Sequence, residues 1–574
     1  MKMGGKNMKR KGKIRVIGIA MLAILIITQV CMPVSASNTD ELNVSEGAVS
    51  LAKEEHINAA PKDDSPAILD SSSVLLPETN TRALASSVDL STSRYFPPIG
   101  NQRNIGNCTS WASVYYQFGY QVASKYDLDV DSTSNLFSPK WVHNMAKNNT
   151  GNNGSSYSNV YKILMGNGAV RYSECTPATS SVTDTSTEYL PWYLDEADMT
   201  NALKYRISNY ETLSFADTAV NTPIAAYNSS NLTNMKTFLS AGNVLTITAD
   251  MSTWDYKTLS SQSNSSLNGE KVCIKVYDSD DDWQGHALAV VGYNDNITYD
   301  LNGNGTIQSF ERGAFKIANS WGTSASNHND GFIWVMYDAL NKVSSATNQN
   351  VSTRIPAFDN YKYNVIAVKE YPRDVIAKVT LNHSDRTQVK LELGVSSTTA
   401  TTPTTKLSTM LLQNKLADSK NFSGTGSSSE TKTFVFDFGD LYALDTERSN
   451  CYICVSDESG GASTIVKEIE LIDGTGKTIV LDTADKTVTS TSANYKFKLG
   501  IVGDINNDTN ITSADATLIQ KYVSKMITLT EDELKVADVN GDGKVTTSDA
   551  TMIQKYIAHT IDEFTNGSVV LLSR

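Results

Sequence analysis

The sequence predicts an α+β domain, then an all-β sandwich-like domain, then a small all-α module with two calcium loops. Three observations carry this prediction. From 88 to 355, helix-like apolar segments precede strand-like ones. From 360 to 499, apolar and polar residues alternate with period two, as in half-buried strands. From 501 to 564, a unit of one acidic loop and one helix occurs twice, and residues 565–574 form a tail.

The first 36 residues have the features of a secretory signal peptide. They contain seven Lys and Arg, no Asp or Glu, a 12-residue apolar run from Val16 to Ile27, and small residues near Ala36. The run is short for a membrane-spanning helix. Residues 37–87 are polar and rich in Ser, Asp, Asn and Pro, so we interpret them as a linker or a short pro-segment. We therefore expect a secreted, extracellular protein.

The chain that remains after residue 36 is acidic. Removing the seven basic residues of the leader leaves 42 Lys and Arg against 62 Asp and Glu. This balance argues against a nucleic-acid partner or an anionic membrane surface. No later segment is predicted to span a membrane, so we expect no membrane partner after signal cleavage.

Five cysteines follow the leader, and an odd number in a secreted protein suggests a free reactive thiol. They are Cys108, Cys175, Cys273, Cys451 and Cys454. Cys451 and Cys454 lie in a strand-like pattern, where positions three apart are separated by about 10 Å and cannot form a disulfide. No second Cys pair or His lies nearby in the sequence, so zinc is not favoured either. Buried, reduced thiols are the preferred interpretation.

The stretch from Pro97 to Trp111, PPIGNQRNIGNCTSW, contains the cysteine that we expect to react. Gln102 stands six residues before Cys108, and an apolar helical pattern begins at the cysteine. A thiol at a helix N-terminus lies near unpaired backbone N–H groups and the positive dipole end, which make it a better nucleophile. A cysteine alone is more often a small buried hydrophobic residue. Two later stretches favour the chemical role: Gly285-His286-Ala287 and Ala318-Asn319-Ser320-Trp321-Gly322.

This order, with Gln before Cys, then His, then Asn-Ser-Trp-Gly, resembles the papain-like cysteine peptidases over about residues 88–340. The resemblance implies an α+β papain-like catalytic domain that acts on a protein or peptide substrate. It implies that Cys108 is the nucleophile, His286 the general base and acid, and Asn319 the group that orients the imidazole. It also implies that Gln102 and the Cys108 backbone N–H stabilise the oxyanion. It further implies that Trp321 shields the Asn–His bond from water and belongs to the substrate-binding residues.

Two departures from the family pattern concern the residue after the cysteine and the spacing. Thr109 stands where the family signature has an aromatic residue. Aligning Trp111 with that aromatic would put Ser110 at the nucleophile position and break the Gln-to-Cys spacing, so we keep Cys108. His286 and Asn319 follow Cys108 by 178 and 211 residues, more than the roughly 130–150 typical of papain and cathepsins, which predicts insertions.

A Gly- and Asn-rich loop at 150–156 precedes a helical stretch from Val160 to Met165. In papain relatives, a glycine-rich segment at this point binds the substrate backbone. The resemblance therefore implies that Gly154 and Ser155 bind substrate. An ordinary helix-entry loop is the alternative.

A twelve-residue motif between His286 and Asn319 fits an EF-hand calcium loop. It begins at Asp300 and ends at Glu311, with Gly305 at the sixth position. The calcium ligands would be Asp300, Asn302, Asn304, Thr306, Gln308 and Glu311. The flanking segments are strand-like rather than helical, so a plain Asn/Gly turn stays open beside a calcium site.

The last region is an internal repeat with a spacing of 34 residues, from Asp504 to Asp538. Each copy is an EF-hand-like loop followed by one helix. The predicted ligands are Asp504, Asn506, Asp508, Asn510, Thr512 and Asp515, and then Asp538, Asn540, Asp542, Lys544, Thr546 and Asp549, with Asn510 and Lys544 contributing backbone carbonyls. Asp at the twelfth position, the duplication and the single short helix resemble a dockerin. Thr509 replaces the usual Gly in the first loop.

The dockerin resemblance implies two Ca²⁺ ions and a partner, the cohesin module of a cellulosome scaffolding protein. By this resemblance, the residues that contact cohesin are Ser513, Ala514, Thr547 and Ser548. The sequence thus predicts a secreted cysteine endopeptidase attached to a cellulosome. Two alternatives stay open: an inactive papain-like component that binds protein, and a binding module whose sandwich recognises plant polysaccharide. The sandwich could equally be a spacer.

Overall fold

The computed structural model describes most of the chain after residue 65. The described ranges are 66–78, 83–147, 154–177, 186–192, 195–216, 221–260, 265–277, 283–371, 373, 375–397, 399–413, 419–438, 449–458, 462–474, 476–490, 492–567 and 569–572. The predicted signal peptide, most of the following linker and residues 150–153 of the glycine-rich loop lie outside them. Within these ranges, no helix is long and apolar enough to cross a bilayer.

The first domain is built on one large sheet of eleven strands. Its strands are β1 (Ile68–Leu69), β2 (Ser87–Asp89), β3 (Tyr205–Ser214), β4 (Leu245–Asp250), β5 (Trp254–Thr258), β6 (Lys271–Tyr277), β7 (Gly285–Thr298), β8 (Arg312–Ala318), β9 (Phe332–Met336), β10 (Arg354–Ile355) and β11 (Lys362–Glu370). The order is β1-β3-β11-β4-β7-β8-β9-β6-β10, with β2 beside β7 and β5 beside β6. The long central strand β7 is buried over most of its length because it has a partner on each side.

The helices of the first domain lie mostly before its central strands in sequence, as predicted for an α+β domain. They are α1 (Cys108–Ser110), α2 (Gly119–Tyr126), α3 (Pro139–Ala146), α4 (Tyr157–Gly166), α5 (Glu196–Ala202) and α6 (Thr233–Ser240). The π-helical segment Trp111–Phe118 joins α1 to α2 without a break, and all its residues are buried. A π-helical turn is rare and is often found near functional sites.

Strand β11 belongs to the first sheet, although the sequence analysis began the sandwich at residue 360. It pairs along its length with β3, and Asn364 also pairs with Thr246 of β4. The alternation of β11 suits either sheet, so sequence pattern alone does not assign it. The first domain therefore extends to about residue 370.

The sandwich is made of two five-stranded sheets. Its strands are β12 (Val375–His383), β13 (Val389–Ser397), β14 (Thr405–Gln413), β15 (Glu430–Asp437), β16 (Ser449–Asp457), β17 (Thr464–Asp473), β18 (Thr478–Asp482), β19 (Lys486–Val488), β20 (Ala493–Ile501) and β21 (Val569–Leu571). One sheet has the order β15-β12-β17-β18 with β19 beside β17, and the other has the order β14-β13-β16-β20-β21. The buried residues of β17 alternate along most of the strand with less buried ones, as period-two patterning predicts.

The C-terminal repeat is helical and joins the sandwich at both ends. Its helices are α7 (Ser513–Val523), α8 (Glu531–Ala537) and α9 (Thr547–Ile557). The chain enters from β20 and returns through β21, which pairs with β20. Residues 569–571 of the predicted tail are therefore a strand of the sandwich. Helix α8 contacts β20 and β21, whereas α7 and α9 pack against each other.

A buried ion pair joins the first domain to the sandwich. Arg206 of β3 donates from Nη2 to Asp437 Oδ2 at 2.5 Å, and both side chains are almost fully buried. The Arg206 guanidinium also lies over the Tyr371 ring at 3.7 Å and donates to Leu203 O. Arg386 of the sandwich donates to Leu190 O of the first domain. The two domains also share one hydrophobic core, so the sandwich is packed against the first domain.

We predict that Asp437→Asn destabilises the protein by about 3–5 kcal/mol, because it leaves the Arg206 charge buried without its counter-ion. The measurement is thermal or denaturant unfolding of the full chain. The matched control is Asp127→Asn, which breaks the exposed ion pair with Arg94 and should lower the stability far less, because solvent screens surface ion pairs. Equal effects of the two variants would contradict a domain-joining role for Arg206.

Candidate active site and calcium loops

Cys108 is the first residue of α1 and is fully buried. Asn107 precedes the helix with a non-helical backbone (φ −108°, ψ 21°), and its side chain makes no capping hydrogen bond. Residues of α1 contact β7, the strand that carries His286. Cys108 and Ala287, the neighbour of His286, share one hydrophobic core. The structure thus brings the predicted nucleophile and the predicted base into adjoining elements.

His286 and Asn319 are joined by a hydrogen bond. His286 Nε2 lies 2.7 Å from Asn319 Oδ1, and the two side chains are 0% and 1% exposed. His286 is the second residue of β7, and Asn319 directly follows β8, the antiparallel partner of β7. Because a carbonyl oxygen only accepts, Nε2 carries the hydrogen and Nδ1 faces the other side of the ring. This is the orientation that the sequence analysis expected of a Cys-His-Asn site.

Gln102 is tied to the residue after Asn319. Gln102 N donates to Ser320 O at 2.7 Å, and Ser320 Oγ donates to Gln102 Oε1 at 2.6 Å. Since Oε1 accepts, Nε2 is the donor end of the amide, and it donates to Ile105 O at 3.0 Å. The side chain is therefore held as a hydrogen-bond donor close to the start of α1. Its contact with an oxyanion stays a prediction.

Trp321 lies against the pair formed by His286 and Asn319, and its role at the substrate stays a prediction. Its ring stacks on His286 with centroids 4.7 Å apart. The Trp321 ring also packs edge-on against His328, and the two ring centroids are 5.6 Å apart. Apolar cover of this kind keeps water from competing for the buried hydrogen bond.

His328 is a residue that the sequence analysis missed. Asn319 Nδ2 donates to His328 Nε2 at 2.8 Å, and His328 Nδ1 donates to Ser326 O at 2.7 Å. The signal in the sequence is only one histidine nine residues after Asn319, in a polar loop. Nothing in that spacing shows that the loop turns back onto the amide.

The other described thiols are suited to packing rather than chemistry. All five described cysteines are free. Burial raises the pKa of the Cys175 thiol and of the Cys273 thiol, and it raises the pKa of Cys454 to about 11. Such thiols stay protonated at neutral pH and are poor nucleophiles. The preference for Cys108 therefore agrees with the surroundings of these three cysteines.

Gly154 and Ser155 lie at the entry to α4, and both are buried. Helix α4 begins after Ser156, whose side chain accepts from Asn159 N, so the ordinary helix-entry interpretation describes this turn well. Helix α4 also contacts α1. Substrate binding by Gly154 and Ser155 stays a prediction.

Both loops of the C-terminal repeat fold around their first carboxylate. Asp504 accepts from the backbone N–H groups of Asn507, Asp508 and Thr509. Asp538 accepts in the same way from Gly541, Asp542 and Gly543. Burial raises the pKa of the Asp538 carboxyl, and the charge of Asp549 adds to that rise.

The last carboxylate of each loop also begins the next helix. Asp515 accepts from Thr512 N, and Asp549 accepts from Thr546 N, which completes a capping box at α7 and at α9. Oxygen donors from carboxylates, amides, hydroxyls and backbone carbonyls are those that Ca²⁺ prefers. In the described residues, no group of three or more His, Cys, Asp or Glu is placed to hold a metal. A site here therefore depends on Asn, Thr and backbone oxygens as well.

The loop from Asp300 to Glu311 repeats this hydrogen-bond pattern. Asp300 accepts from the N–H groups of Gly303, Asn304 and Gly305. Glu311 is fully buried and accepts from Leu301, Asn302 and Gln308. The loop is followed by β8 rather than a helix, as the sequence analysis expected. Calcium in this loop stays a prediction.

The four residues predicted to contact a partner are all exposed. Ser513 and Ala514 open α7, and Thr547 and Ser548 open α9. The helix of this module that packs on the sandwich strands β20 and β21 is α8. Partner binding by these residues is not tested by the structure, but the sandwich leaves them accessible.

Comparisons with known proteins identify the C-terminal repeat. The model of the dockerin type I domain matches residues 502–558. No curated protein sequence matches the chain. A chain from the complex of the third ScaC cohesin with the ScaB dockerin of Acetivibrio cellulolyticus is 33% identical, covering 11% of this chain and 92% of that chain with a TM-score of 0.11.

Solved structures similar to about half of the chain are cysteine proteases of low identity. Xylellain, a cysteine protease from Xylella fastidiosa, is 17% identical, and the match covers 56% of this chain and 98% of that chain with a TM-score of 0.33. Digestive procathepsin L 3 of Tenebrio molitor is 13% identical, covering 54% of this chain and 77% of that chain with a TM-score of 0.32.

Residues 502–558 of this protein are a dockerin type I domain, and a dockerin implies attachment to a cellulosome.

Proposed function

We propose that this chain is a secreted cysteine endopeptidase that hydrolyses peptide bonds and is attached to a cellulosome scaffold by its dockerin. The observation that carries the proposal is the hydrogen bond between His286 Nε2 and Asn319 Oδ1, on strands adjoining the helix that begins at Cys108. The held imidazole, the cysteine at a helix N-terminus and the Gln102 donor make up the groups that thiol-dependent acyl transfer needs.

Each residue has one step in this reaction. The Cys108 thiolate attacks the scissile carbonyl carbon, and the Cys108 N–H and Gln102 Nε2 stabilise the oxyanion that forms. The His286 imidazolium donates its proton to the leaving amine, and a thioester with Cys108 results. His286 then takes a proton from water, which attacks the thioester, and the acid product leaves. Asn319 keeps the imidazole oriented throughout.

The buried site sets a condition on this function. Cys108 and His286 are both 0% exposed. A peptide can reach the thiol only after the segments that cover it move aside.

An inactive component that binds protein or polysaccharide is the second candidate. The active site argues against it, because binding alone does not require a cysteine, a histidine and an oriented amide together. Polysaccharide binding by the sandwich is compatible with the peptidase function.

We predict that Cys108→Ala lowers peptide hydrolysis by on the order of a thousandfold or more, because the nucleophile is lost. The measurement combines cleavage of a peptide library with labelling by a peptidyl electrophile. The matched control is Cys273→Ala, a buried thiol whose pKa is raised by burial, which should keep labelling and turnover. Hydrolysis retained by Cys108→Ala contradicts the assignment, and a wild-type protein that is neither labelled nor active supports the inactive component.

The dockerin supports a cohesin module as the partner and Ca²⁺ as its cofactor. The donors of both loops are oxygens on short side chains, which fit a calcium ion. Bound there, the ion offsets the repulsion between the carboxylates of each loop. A module of this size buries a small core, so its folding should depend on the ion.

We predict that Asp504→Ala with Asp538→Ala abolishes calcium-dependent binding to a cohesin module and leaves peptide hydrolysis unchanged. The measurement is titration calorimetry with a cohesin, repeated for the wild-type chain with a chelator. Asp562→Ala is the control, because this exposed dockerin residue lies outside both loops. Cohesin binding that survives both the double substitution and the chelator would overturn calcium coupling.

We also propose a third calcium ion in the loop from Asp300 to Glu311. The support is that its first and last carboxylates accept backbone N–H groups at the same loop positions as Asp504 and Asp515 in the dockerin. The loop lies between the strands of His286 and Asn319. Loss of its ion should therefore loosen this segment without unfolding the larger domain.

We predict that Glu311→Gln lowers the calcium stoichiometry of the full chain by one ion and slightly lowers the melting temperature of the first domain. Native mass spectrometry gives the stoichiometry, and calorimetry gives the melting temperature. The Asp504→Ala and Asp538→Ala double variant is the reference, since it should lose the other ions. A wild-type chain that binds no more calcium than its dockerin loops account for leaves this stretch a plain turn.

A further inference from the structure

The Asn319 amide uses every hydrogen-bonding position that an amide has. Its oxygen accepts from His286 Nε2 and from Ser320 N, both at 2.7 Å. Its nitrogen donates to His328 Nε2 at 2.8 Å and to the Met251 sulfur at 3.7 Å. A backbone N–H only donates, so the Ser320 contact assigns Oδ1 independently of either histidine. The amide is therefore held in one orientation from both ends.

The hydrogen positions of His328 follow from two of its hydrogen-bond partners. Ser326 O can only accept, so Nδ1 carries a hydrogen. Asn319 Nδ2 can only donate, so Nε2 of His328 presents its lone pair. His328 is therefore neutral in this arrangement and is the strong acceptor of the Asn319 amino group, because a thioether sulfur accepts weakly.

We propose that His328 is a positioning residue that keeps the Asn319 oxygen on His286 and releases it on protonation. This inference rests on the proposed peptidase function. A protonated His328 would direct an N–H at the amino group of Asn319, and two donors cannot bond. The amide would then have to turn away, which removes the acceptor from His286.

Trp321 connects the two histidines physically. It stacks on His286 and meets His328 at its edge, so the three rings and Asn319 form one cluster. His328 is only partly buried, so protons from solvent can reach it. An ordinary imidazole changes charge near neutral pH, which puts this switch in the range where a cysteine peptidase works.

Other ionisable groups lie on the segments around His328. They are His286 behind Trp321, Asp250 next to Met251, Lys271, whose backbone N–H bonds Asn329, and Asp330 on the same loop. The test therefore changes His328 alone and leaves these groups in place in every variant.

The experiment compares His328→Leu with His328→Gln in the full chain. Glutamine presents an amide oxygen close to the position of Nε2 and does not titrate, so it should keep kcat within about threefold of the wild type. Leucine removes the acceptor and should lower kcat by about tenfold with little change in KM. His559→Gln, on the exposed end of the dockerin, is the control for the substitution itself.

The pH profile is the readout that a merely structural role would not change. In the wild type, the acid limb of the pH profile should be steeper than the limb of a one-proton titration, because His328 and the thiol–imidazole pair both take up a proton. In His328→Gln the slope of the acid limb should fall to that of a one-proton titration. Equal losses in the two variants, or an unchanged acid limb in His328→Gln, overturn the proposal. If His328→Leu does not fold, the glutamine profile decides.

Alkylation of Cys108 by iodoacetamide separates this inference from the proposed function. The reaction needs access to the thiol and an ionised thiol beside an oriented imidazole, but no peptide turnover. If the acid limb of alkylation loses its second proton in His328→Gln while no peptide is cleaved, His328 positions Asn319 and the peptidase function fails. If peptides are cleaved and neither profile depends on residue 328, the function stands and this inference fails.

Discussion

The hydrogen bond between His286 and Asn319 is the interaction on which the candidate active site depends. It exists because β7 and β8 are antiparallel partners in a register that pairs Ala289 with Ala318, so the start of one strand meets the end of the other. A one-residue slip of this register would turn the imidazole to the opposite face of the sheet. The burial of β7 between β4 and β8 is what makes such a slip costly.

The segment around Gln102 is hydrogen-bonded to the residues that directly follow Asn319. Gln102 N donates to Ser320 O, and Gly322 N donates to Gly100 O. The hydroxyl of Tyr116, in the π-helical segment Trp111–Phe118, donates to Asn319 O at 2.8 Å. The Gln102 segment is thus tied to the strand end that carries Asn319 by backbone hydrogen bonds, and the Tyr116 hydroxyl ties the helical segment to the same strand end. Catalysis by positioned groups requires this rigidity, because the amide, the imidazole and the thiol come from three distant parts of the chain.

The three regions of the chain are held together more closely than a row of modules on linkers. The sandwich shares a hydrophobic core with the first domain and buries the Arg206–Asp437 ion pair against it. In the sequence, the dockerin lies between β20 and β21, and the pairing of these two strands fixes both of its ends on the sandwich. Its helix α8 faces the sandwich, so the exposed starts of α7 and α9 remain available to a partner.

Local chemistry made much of this protein predictable from sequence. Turn residues and oxygen-bearing side chains at fixed offsets indicated the dockerin repeat. Period-two alternation indicated the sandwich strands, and the residues around Cys108, His286 and Asn319 indicated the candidate site. Tertiary structure decided what local patterns do not encode: the assignment of β11 to the first sheet, the return of residues 569–571 to the sandwich, and the contact of His328 with Asn319. The physical reason is that alternation specifies a face and not a partner strand, and that a side chain in a polar loop carries no periodic signal of what it touches.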